Sequence, residues 1–514
     1  MARPRRRWST RAIRRTVARA TVTGIVTAVS VTAVTVGVPP AVAAAAAHPP
    51  PALAPSRVPV PTVEGPIRGP GTPSIISTSF DLSKVGYESD EYFISGSAHS
   101  YRLVGAAPAN GRWTVRAGPA AGYKTRLLVY RPRDPKKFNG TVVVEWLNVS
   151  AGADDAPDWV GEHTELIRQG FAWVGVSAQA LGVNGGGSVL GISGTGLRNA
   201  NPGRYGMLHH PGDAYSYDIF SQAAQAIRHP GRVSPLGRLR PKALIADGES
   251  QSAFFMTTYI DAVAPLARVF NGYMVHSRWS GGASLAGMLS FTVAEPFRTD
   301  LPVPVMAFET ETDLTMGYVH DRQPDNRWFR DWEVAGTAHA DDYEASVGPS
   351  DTGGPGAAAA IASHDAPLTS LGCTTAMNSG PQHWVLDDAI AALNRWVRTG
   401  AAPPHAPRLA VTTGATPTIG RDGAGNALGG IRTPELDVPT AVLSGNAPAG
   451  APLTCRLFGS TIPFSAAMVS ALYPSHADYV TKFDAATTRA VRAGFLLPAD
   501  AAQIEAAASA SATA

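Results

Sequence analysis

A serine, a group of acids and a histidine follow one another along the chain in an order that suits nucleophilic catalysis. Ser250 lies in "GESQS", residues 248–252, between an apolar run typical of a strand and a run from Ala253 to Val263 typical of a helix. A sharp strand-to-helix turn presents a serine hydroxyl at the edge of a sheet, where it can attack a carbonyl carbon. The backbone of such a turn is strained, so the residues two before and two after the serine must be small, as Gly248 and Ser252 are.

Ser252 replaces the glycine of the usual G-x-S-x-G pattern, so the short motif is a variant. Two alternatives remain at this point: Ser250 is an ordinary turn serine, or Ser252 is the nucleophile. The strand before the motif and the helix after it favour Ser250 as the nucleophile, because the motif requires that context.

A serine nucleophile needs a base, and the base needs an acid that orients it. We call this strand-to-helix turn the elbow. In proteins that carry a serine at such an elbow, the acid follows a later strand and the histidine comes last in the sequence. The stretch "VPVMAFETETDLT" carries Glu309, Glu311 and Asp313 at the end of such a strand. We predict Asp313 as the acid because it lies furthest into the loop, with Glu311 as the alternative. Each of the three can instead be a solvated loop acid.

His339 is the predicted base. It alone among the downstream histidines directly follows a strand-like run, in "WEVAGTAHAD", and the small residues around it leave room for an imidazole to enter a cleft. The alternative is a histidine in a surface loop. The other histidines that follow the acids are His320, His364, His383, His405 and His476.

The tetrahedral intermediate of acyl transfer needs two hydrogen-bond donors for its oxyanion. The peptide N–H of Gln251 is one of them by the geometry of the elbow. We expect the second from the loop after the "TVVVEW" strand, between Leu147 and Val149. Asn148 can help through its amide, or it can only cap the loop.

Alternating strands and helices are needed to position these residues. Apolar runs such as "GTVVVEWLNVS" and "VPVMAFET" are typical of strands buried on both faces of a parallel sheet. Helical stretches separate them; Asp213 is a candidate N-cap of one, and the amphipathic stretch "VLDDAIAALNRWVRTG" is another. This alternation predicts a mostly parallel sheet with helices on both faces. Residues 401–514 hold Pro/Gly-rich loops and two helical stretches, which we interpret as an extension packed on the same domain.

The N-terminus predicts export. Eight arginines lie between Arg3 and Arg19, an apolar stretch follows, and "AVA" at residues 41–43 suits signal cleavage. We expect a signal peptide over residues 1–43 of the Sec or twin-arginine type, an Ala/Pro-rich linker over residues 44–61, and a secreted or cell-envelope location. A membrane anchor is the alternative for the first segment, but no later run of about 18 apolar residues predicts a span.

The charge balance speaks against a nucleic-acid partner. The formal net charge is +3, and subtracting the eight N-terminal arginines leaves −5 for the rest of the chain. The two cysteines, Cys373 and Cys455, are expected to form one disulfide in an oxidising compartment, with two buried free thiols as the alternative. The 13 histidines show no zinc-ligand spacing.

Several long stretches resemble one family in order along the chain: "VEWLNVSAGADDAPDW", "HPGDAYSYDIFSQA", "DGESQSA", "ETETDL", "AGTAHAD", "RDGAGNALGGIRTP", "CRLFGSTIPFS" and "LYPSHADYV". This is the bacterial alpha/beta hydrolase domain family, large serine hydrolases of the α/β-hydrolase superfamily, and the resemblance covers about residues 75–505. It implies the eight-stranded α/β-hydrolase fold and an esterase-like activity that uses Ser250, His339 and Asp313 or Glu311. We interpret residues 62–400 as the catalytic domain. It implies no particular substrate, because one fold supports many chemistries.

We therefore expect an exported hydrolase of carboxylic esters that acts on a small molecule through an acyl-enzyme, without metal or organic cofactor. An acyltransferase with the same three residues is the nearest alternative. A non-catalytic binding module on a hydrolase fold is an alternative of another class, and the intact set of Ser250, a loop acid and His339 argues against it.

Overall fold

The computed structural model describes residues 50–188, 194–289, 295–363, 367–369, 372–414, 416–448 and 450–513. The predicted signal peptide, residues 44–49 of the predicted linker, and His364 lie outside the described residues. Residues 47–514 form one compact unit. Within the described chain, no helix combines the length and the apolar composition that crossing a membrane requires.

A nine-stranded sheet forms the centre of the protein, with the strand order β1-β2-β3-β5-β4-β6-β7-β8-β9. Strands β4 to β9 pair with one another in parallel, whereas the pairs β1–β2, β2–β3 and β3–β5 are antiparallel. The strands are β1 Thr62–Glu64, β2 Tyr87–Leu103, β3 Val115–Pro132, β4 Thr141–Trp146, β5 Ala172–Val176, β6 Ala243–Asp247, β7 Gly272–His276, β8 Val305–Thr310 and β9 Phe329–Val334. Two small antiparallel pairs lie further along the chain: β10 Val411–Thr412 with β11 Thr418–Ile419, and β12 Ala441–Ser444 with β13 Ser460–Pro463.

Helices connect the strands and form most of the C-terminal part. They are α1 Pro157–Gln169, α2 Ala180–Asn184, α3 Leu197–Ala200, α4 Pro202–Tyr205, α5 Ser216–Arg228, α6 Gln251–Thr258, α7 Ala264–Ala267, α8 Glu311–Met316, α9 Ala357–Ser363, α10 Gln382–Thr399, α11 Pro434–Asp437, α12 Leu453–Leu457, α13 Ala466–Leu472, α14 His476–Ala493 and α15 Pro498–Ala510. Short 3₁₀ turns lie at Leu82–Val85, Pro135–Lys137, Asp213–Tyr215, Tyr318–His320 and Gly348–Ser350, and π-helical turns at Tyr259–Val263 and Tyr343–Val347.

The predicted fold class is confirmed: the central sheet is mostly parallel, and a helical C-terminal segment follows it. The sheet has nine strands where the family resemblance implied eight, because the three-residue β1 adds to the edge of β2. The prediction that Asp213 caps α5 is wrong. Asp213 lies in the 3₁₀ turn before that helix, and its carboxylate accepts a hydrogen bond from the Ala180 N–H at 2.7 Å.

Two apolar cores, one on each face of the sheet, follow from the alternation of side chains along the strands. On β4, Val142 and Val144 contact the core that α5 and α6 cover, whereas Val143 contacts the core under α1 and α10. These strand residues are fully buried, as expected of parallel strands with helices on both sides. The sheet is therefore a rigid frame, and the loops at the carboxyl ends of its parallel strands carry the residues considered next.

Candidate active site

Ser250 lies at a strained turn between β6 and α6. Its backbone has φ 56° and ψ −120°, a left-handed conformation that serine rarely adopts. Two backbone hydrogen bonds fix the turn against β7: the Ser250 N–H donates to the His276 carbonyl at 2.9 Å, and the His276 N–H donates to the Gly248 carbonyl at 3.1 Å. Neighbouring structure thus holds the serine in a conformation that it does not adopt readily by itself.

Gly248 and Ser252 face each other across this turn. A Cβ atom placed on Gly248 comes within 3.2 Å of the Ser252 Cβ and 3.3 Å of its carbonyl carbon. A Cβ atom at position 248 is therefore in tighter contact with Ser252 than most Cβ atoms are with their neighbours, which agrees with the small residue that the motif requires there. Ser252 itself is fully buried, and its N–H donates to the Glu249 carbonyl at 3.0 Å.

His339 contacts both Ser250 and Asp313. Its Nε2 lies 2.7 Å from the Ser250 Oγ, and its Nδ1 lies 2.7 Å from the Asp313 Oδ1. The loop after β9 carries the imidazole, and the His339 N–H donates to the Thr312 Oγ1 at 3.1 Å. Only 3% of His339 is exposed, so little water competes for these contacts. Three residues that are far apart in the sequence are thus joined by two short hydrogen bonds.

Asp313 is held in place by the start of α8. Its Oδ2 accepts hydrogen bonds from the Thr310 N–H at 2.9 Å and from the Thr310 Oγ1 at 2.6 Å, and the Thr310 side chain in turn accepts from the Asp313 N–H. This reciprocal capping box satisfies the helix N-terminus and leaves the Asp313 Oδ1 directed at His339. The carboxylate is fully buried.

Glu311, the alternative acid, lies against the C-terminal segment. Its Oε1 accepts from the Gly336 N–H at 2.7 Å, and its Oε2 accepts from the Arg421 guanidinium at 2.9 Å and the Gly445 N–H at 3.2 Å. Burial raises the pKa of Glu311, and Arg421 is the largest opposing influence. None of these contacts involves His339. Three further downstream histidines bond to groups outside this site: His383, His405 and His476.

The loop after β4 lies beside the elbow, but Asn148 is engaged elsewhere. Its Nδ2 donates to the Glu249 carbonyl at 3.2 Å and lies 3.3 Å from the Glu249 Oε2, and its backbone N–H donates to the Asp155 carbonyl at 2.9 Å. The peptide N–H groups of Gln251 and Val149 have no hydrogen-bond acceptor among the described residues. In this loop the Val149 N–H is therefore available as a hydrogen-bond donor. The Asn148 side chain links the loop to the elbow.

Glu249 and Trp279 are further neighbours of His339. The Glu249 Oε1 lies 3.5 Å from the His339 Nε2, and burial followed by the charges of nearby acids raises the pKa of Glu249 well above its usual range. The half-buried Trp279 ring has its centroid 5.5 Å from that of His339. Glu249 is adjacent to the serine in the motif, so its position next to the nucleophile was the one available hint. Trp146 and Trp159 are fully buried in the core.

Comparison with known proteins agrees with this architecture. A family model described as "Alpha/beta hydrolase domain" matches residues 58–506. No curated protein matches the chain. Solved structures that it resembles include a thermostable esterase from Pseudomonas putida ECU1011, at 15% identity over 46% of this chain and 66% of that chain with a TM-score of 0.25. A fungal esterase from Rhizomucor miehei matches at 11% identity over 51% and 78% with a TM-score of 0.26, and acetyl xylan esterase 1 from Thermoanaerobacterium sp. JW/SL YS485 at 14% over 43% and 54% with 0.23. Similarity at this level says nothing about substrate.

Proposed function

The chain belongs to the alpha/beta hydrolase domain family, and from this premise we propose that it is a serine hydrolase that cleaves carboxylic esters through an acyl-enzyme on Ser250. The observation that carries the proposal is the pair of 2.7 Å contacts that link the Ser250 Oγ to His339 and His339 to Asp313. A hydroxyl, an imidazole and a carboxylate in this order are the parts of a serine nucleophile, its general base and the orienting acid.

In the first half of the reaction the Ser250 Oγ attacks the ester carbonyl carbon while His339 Nε2 takes the hydroxyl proton. The Nδ1–H of His339 donates to Asp313, which fixes the tautomer with a free Nε2 lone pair and stabilises the imidazolium that forms. Collapse of the tetrahedral intermediate breaks the ester C–O bond, and the Nε2–H passes its proton to the departing alkoxide. The products of this half are an alcohol and the acyl-Ser250 ester.

Water completes the cycle by the same route. His339 takes a proton from the water as its oxygen attacks the acyl carbon, and the collapse of the second intermediate returns that proton to the Ser250 Oγ and releases the carboxylic acid. We propose the Gln251 and Val149 N–H groups as the oxyanion donors, since those of Asn148 already have acceptors. In place of water an alcohol can accept the acyl group, which is the acyltransferase alternative.

The decisive test is hydrolysis of p-nitrophenyl esters of increasing acyl length by the native chain and by Ser250→Ala. We expect kcat/KM to fall by about 10⁴-fold or more, because removal of the nucleophile leaves only oxyanion and binding contributions. Ser252→Ala is the matched control, since its hydroxyl is buried two residues away and should leave turnover within a few-fold. Full activity in Ser250→Ala contradicts the proposal.

Labelling with a fluorophosphonate separates an enzyme from a non-catalytic binding module. We expect one adduct per chain, located on Ser250 by peptide mass spectrometry and absent in Ser250→Ala, because only an activated serine attacks the phosphorus. Adding a primary alcohol to the ester assay then reports the acyl acceptor: a transesterified product in preference to the free acid identifies an acyltransferase.

We also propose that the protein is exported. The arginine-rich start of the sequence and the Cys373–Cys455 disulfide both support a location outside the reducing cytosol. N-terminal sequencing of the protein recovered from the culture medium or cell envelope should give a start at about residue 44. Recovery of only a full-length cytosolic chain contradicts export.

A further inference from the structure

Four buried carboxyl groups converge beneath the elbow, on the face of the sheet that α1 covers. Glu145 of β4 and Asp247 of β6 are register partners on adjacent parallel strands, so their side chains lie side by side on one face. Asp158 and Glu162 are four residues apart on α1 and so lie on the same face of that helix. Two strands and one helix thus bring four acids together.

Three of these acids are close enough to contact a single ion. One carboxylate oxygen each from Asp158, Glu162 and Asp247 can be chosen so that all three atoms lie within 4.8 Å of one another. Ligands on opposite sides of a calcium ion are about 4.8 Å apart, because each Ca–O distance is about 2.4 Å. The three side chains are at most 1% exposed, so the oxygens face each other without intervening bulk solvent.

A buried carboxylate oxygen of Glu145 is an independent observation that also indicates a bound ion in this cluster. Its Oε2 accepts from the Trp159 N–H at 2.9 Å and from the Trp173 Nε1 at 2.8 Å, which fixes the carboxylate at the first turn of α1. Its Oε1 has no hydrogen-bond partner among the residues that the structure describes, although Glu145 is only 1% exposed. The two neighbouring charges that act on it most are those of Asp158 and Asp247.

No lysine or arginine of the described chain forms an ion pair with any of the four acids. Both oxygens of Glu162 and of Asp247 lack a hydrogen-bond donor among the described residues. Asp247 instead contacts the carboxyl groups of Asp158 and Glu162. His276 donates from Nδ1 to the Asp158 Oδ1 at 2.9 Å. Buried carboxylates need protons or a bound cation, because their desolvation is otherwise too costly.

We propose that Asp158, Glu162 and Asp247, supported by Glu145, bind one divalent cation of the oxygen-preferring class, with calcium favoured because magnesium sites usually use only one or two carboxylates. The ligand set is purely carboxylate, which suits calcium, magnesium or manganese and not the softer metals. His276 orients Asp158 from outside the ligand set. The ion ties α1 to the last residue of β6, three positions before Ser250, and so stabilises the elbow without touching the serine.

Metal binding by the full chain tests this site. The native protein is stripped with a chelator, returned to metal-free buffer, and titrated with CaCl₂, MgCl₂ or MnCl₂ by calorimetry, with metal content measured after gel filtration. We expect about one equivalent of calcium per chain and a rise in the thermal midpoint. Glu162→Gln should weaken binding at least 100-fold, because it removes one of three charged ligands. Asp388→Asn, which removes a buried acid on α10 outside the cluster, should bind like the native chain.

Two results overturn the proposal. One is a native chain that binds none of the three ions, in which case the acids share protons. The other is a folded Glu162→Gln variant that binds as tightly as the native chain. If Glu162→Gln does not fold, terbium serves as the probe in the native chain: emission sensitised by the adjacent Trp173 and quenched by calcium supports the site, and its absence overturns it.

Discussion

At the scale of single residues, the difference between Asp313 and Glu311 shows how position decides what a carboxylate does. The two residues are two positions apart in the first turn of α8, and both are fully buried. Thr310 binds one oxygen of Asp313 and leaves the other for His339, whereas backbone N–H groups and Arg421 occupy both oxygens of Glu311. Asp313 is thus placed to orient a base, and Glu311 is placed to join two parts of the chain.

Asp313→Asn tests this assignment. The amide can present an N–H to His339 Nδ1, which favours the tautomer with a protonated Nε2 that cannot accept the Ser250 proton. We expect kcat for ester hydrolysis to fall by about 10³- to 10⁴-fold with a small change in stability. Glu311→Gln should lower kcat less than 10-fold but reduce the free energy of unfolding by about 1–3 kcal/mol, because the pairing with Arg421 is weakened. The reverse pattern of activity loss identifies Glu311 as the acid.

Ser252 is a residue whose replacement by alanine should not lower the stability of the protein. Its hydroxyl is fully buried and has no hydrogen-bond partner among the described residues. Alanine keeps the packing against Gly248, removes a buried polar group and favours the helix, so Ser252→Ala should leave the urea midpoint unchanged or raise stability by about 1 kcal/mol. A loss greater than about 1 kcal/mol reveals a hydrogen bond to an ordered water.

The order of serine, acid and histidine was readable from the sequence because each follows a strand-like run. The role of Asn148 was not. Its amide bonds to Glu249, a residue 101 positions away, and only the fold brings the two together. Likewise, the four acids under α1 have no shared local motif, since they come from β4, α1 and β6. Local sequence therefore indicates which residue ends a strand, and the pairing of strands determines which side chains meet.

At the scale of elements, the prediction was best where one apolar run makes one strand or helix. The buried strands β4 and β8 and the helix α10, which ends at Gly400 in a left-handed conformation, follow their sequence patterns closely. The antiparallel β2 and β3 are 17 and 18 residues long. Their glycines are accommodated within a long hairpin, because the partner strand supplies the hydrogen bonds.

Helix α10 offers a test of how buried acids affect stability. Asp388 is 4% exposed, and burial raises its pKa to about 7. The folded chain then holds a proton that the unfolded chain has released above about pH 4, so stability is lost as the pH rises towards 7. We expect Asp388→Asn to gain about 2–3 kcal/mol relative to the native chain between pH 5 and pH 8, as measured by urea unfolding. A difference independent of pH means that Asp388 ionises normally.

At the scale of the whole molecule, the C-terminal segment completes the sheet edge. β9 is the last strand, and an exposed edge invites pairing with other chains. Ile431 covers this edge: its N–H donates to the Glu333 carbonyl at 2.7 Å, and its carbonyl accepts from the Ala335 N–H at 3.0 Å. Arg408 adds ion pairs to Asp331 and Glu333 of the same strand. Residues after 400 therefore contribute directly to the architecture that positions His339.

The Cys373–Cys455 disulfide is the covalent part of this arrangement, and its removal is the prediction at this scale. The bond joins residues 82 positions apart, and both cysteines are buried. Closing a loop of that length restricts the unfolded chain, so Cys373→Ala with Cys455→Ala should lower the free energy of unfolding by about 4 kcal/mol. Turnover of p-nitrophenyl esters should stay within a few-fold at temperatures where the variant is folded, because neither cysteine belongs to the site. Reduction of the native chain should move its urea midpoint to that of the double variant. If neither reduction nor the double substitution changes the midpoint, packing of the C-terminal segment, and not the disulfide, holds that segment in place.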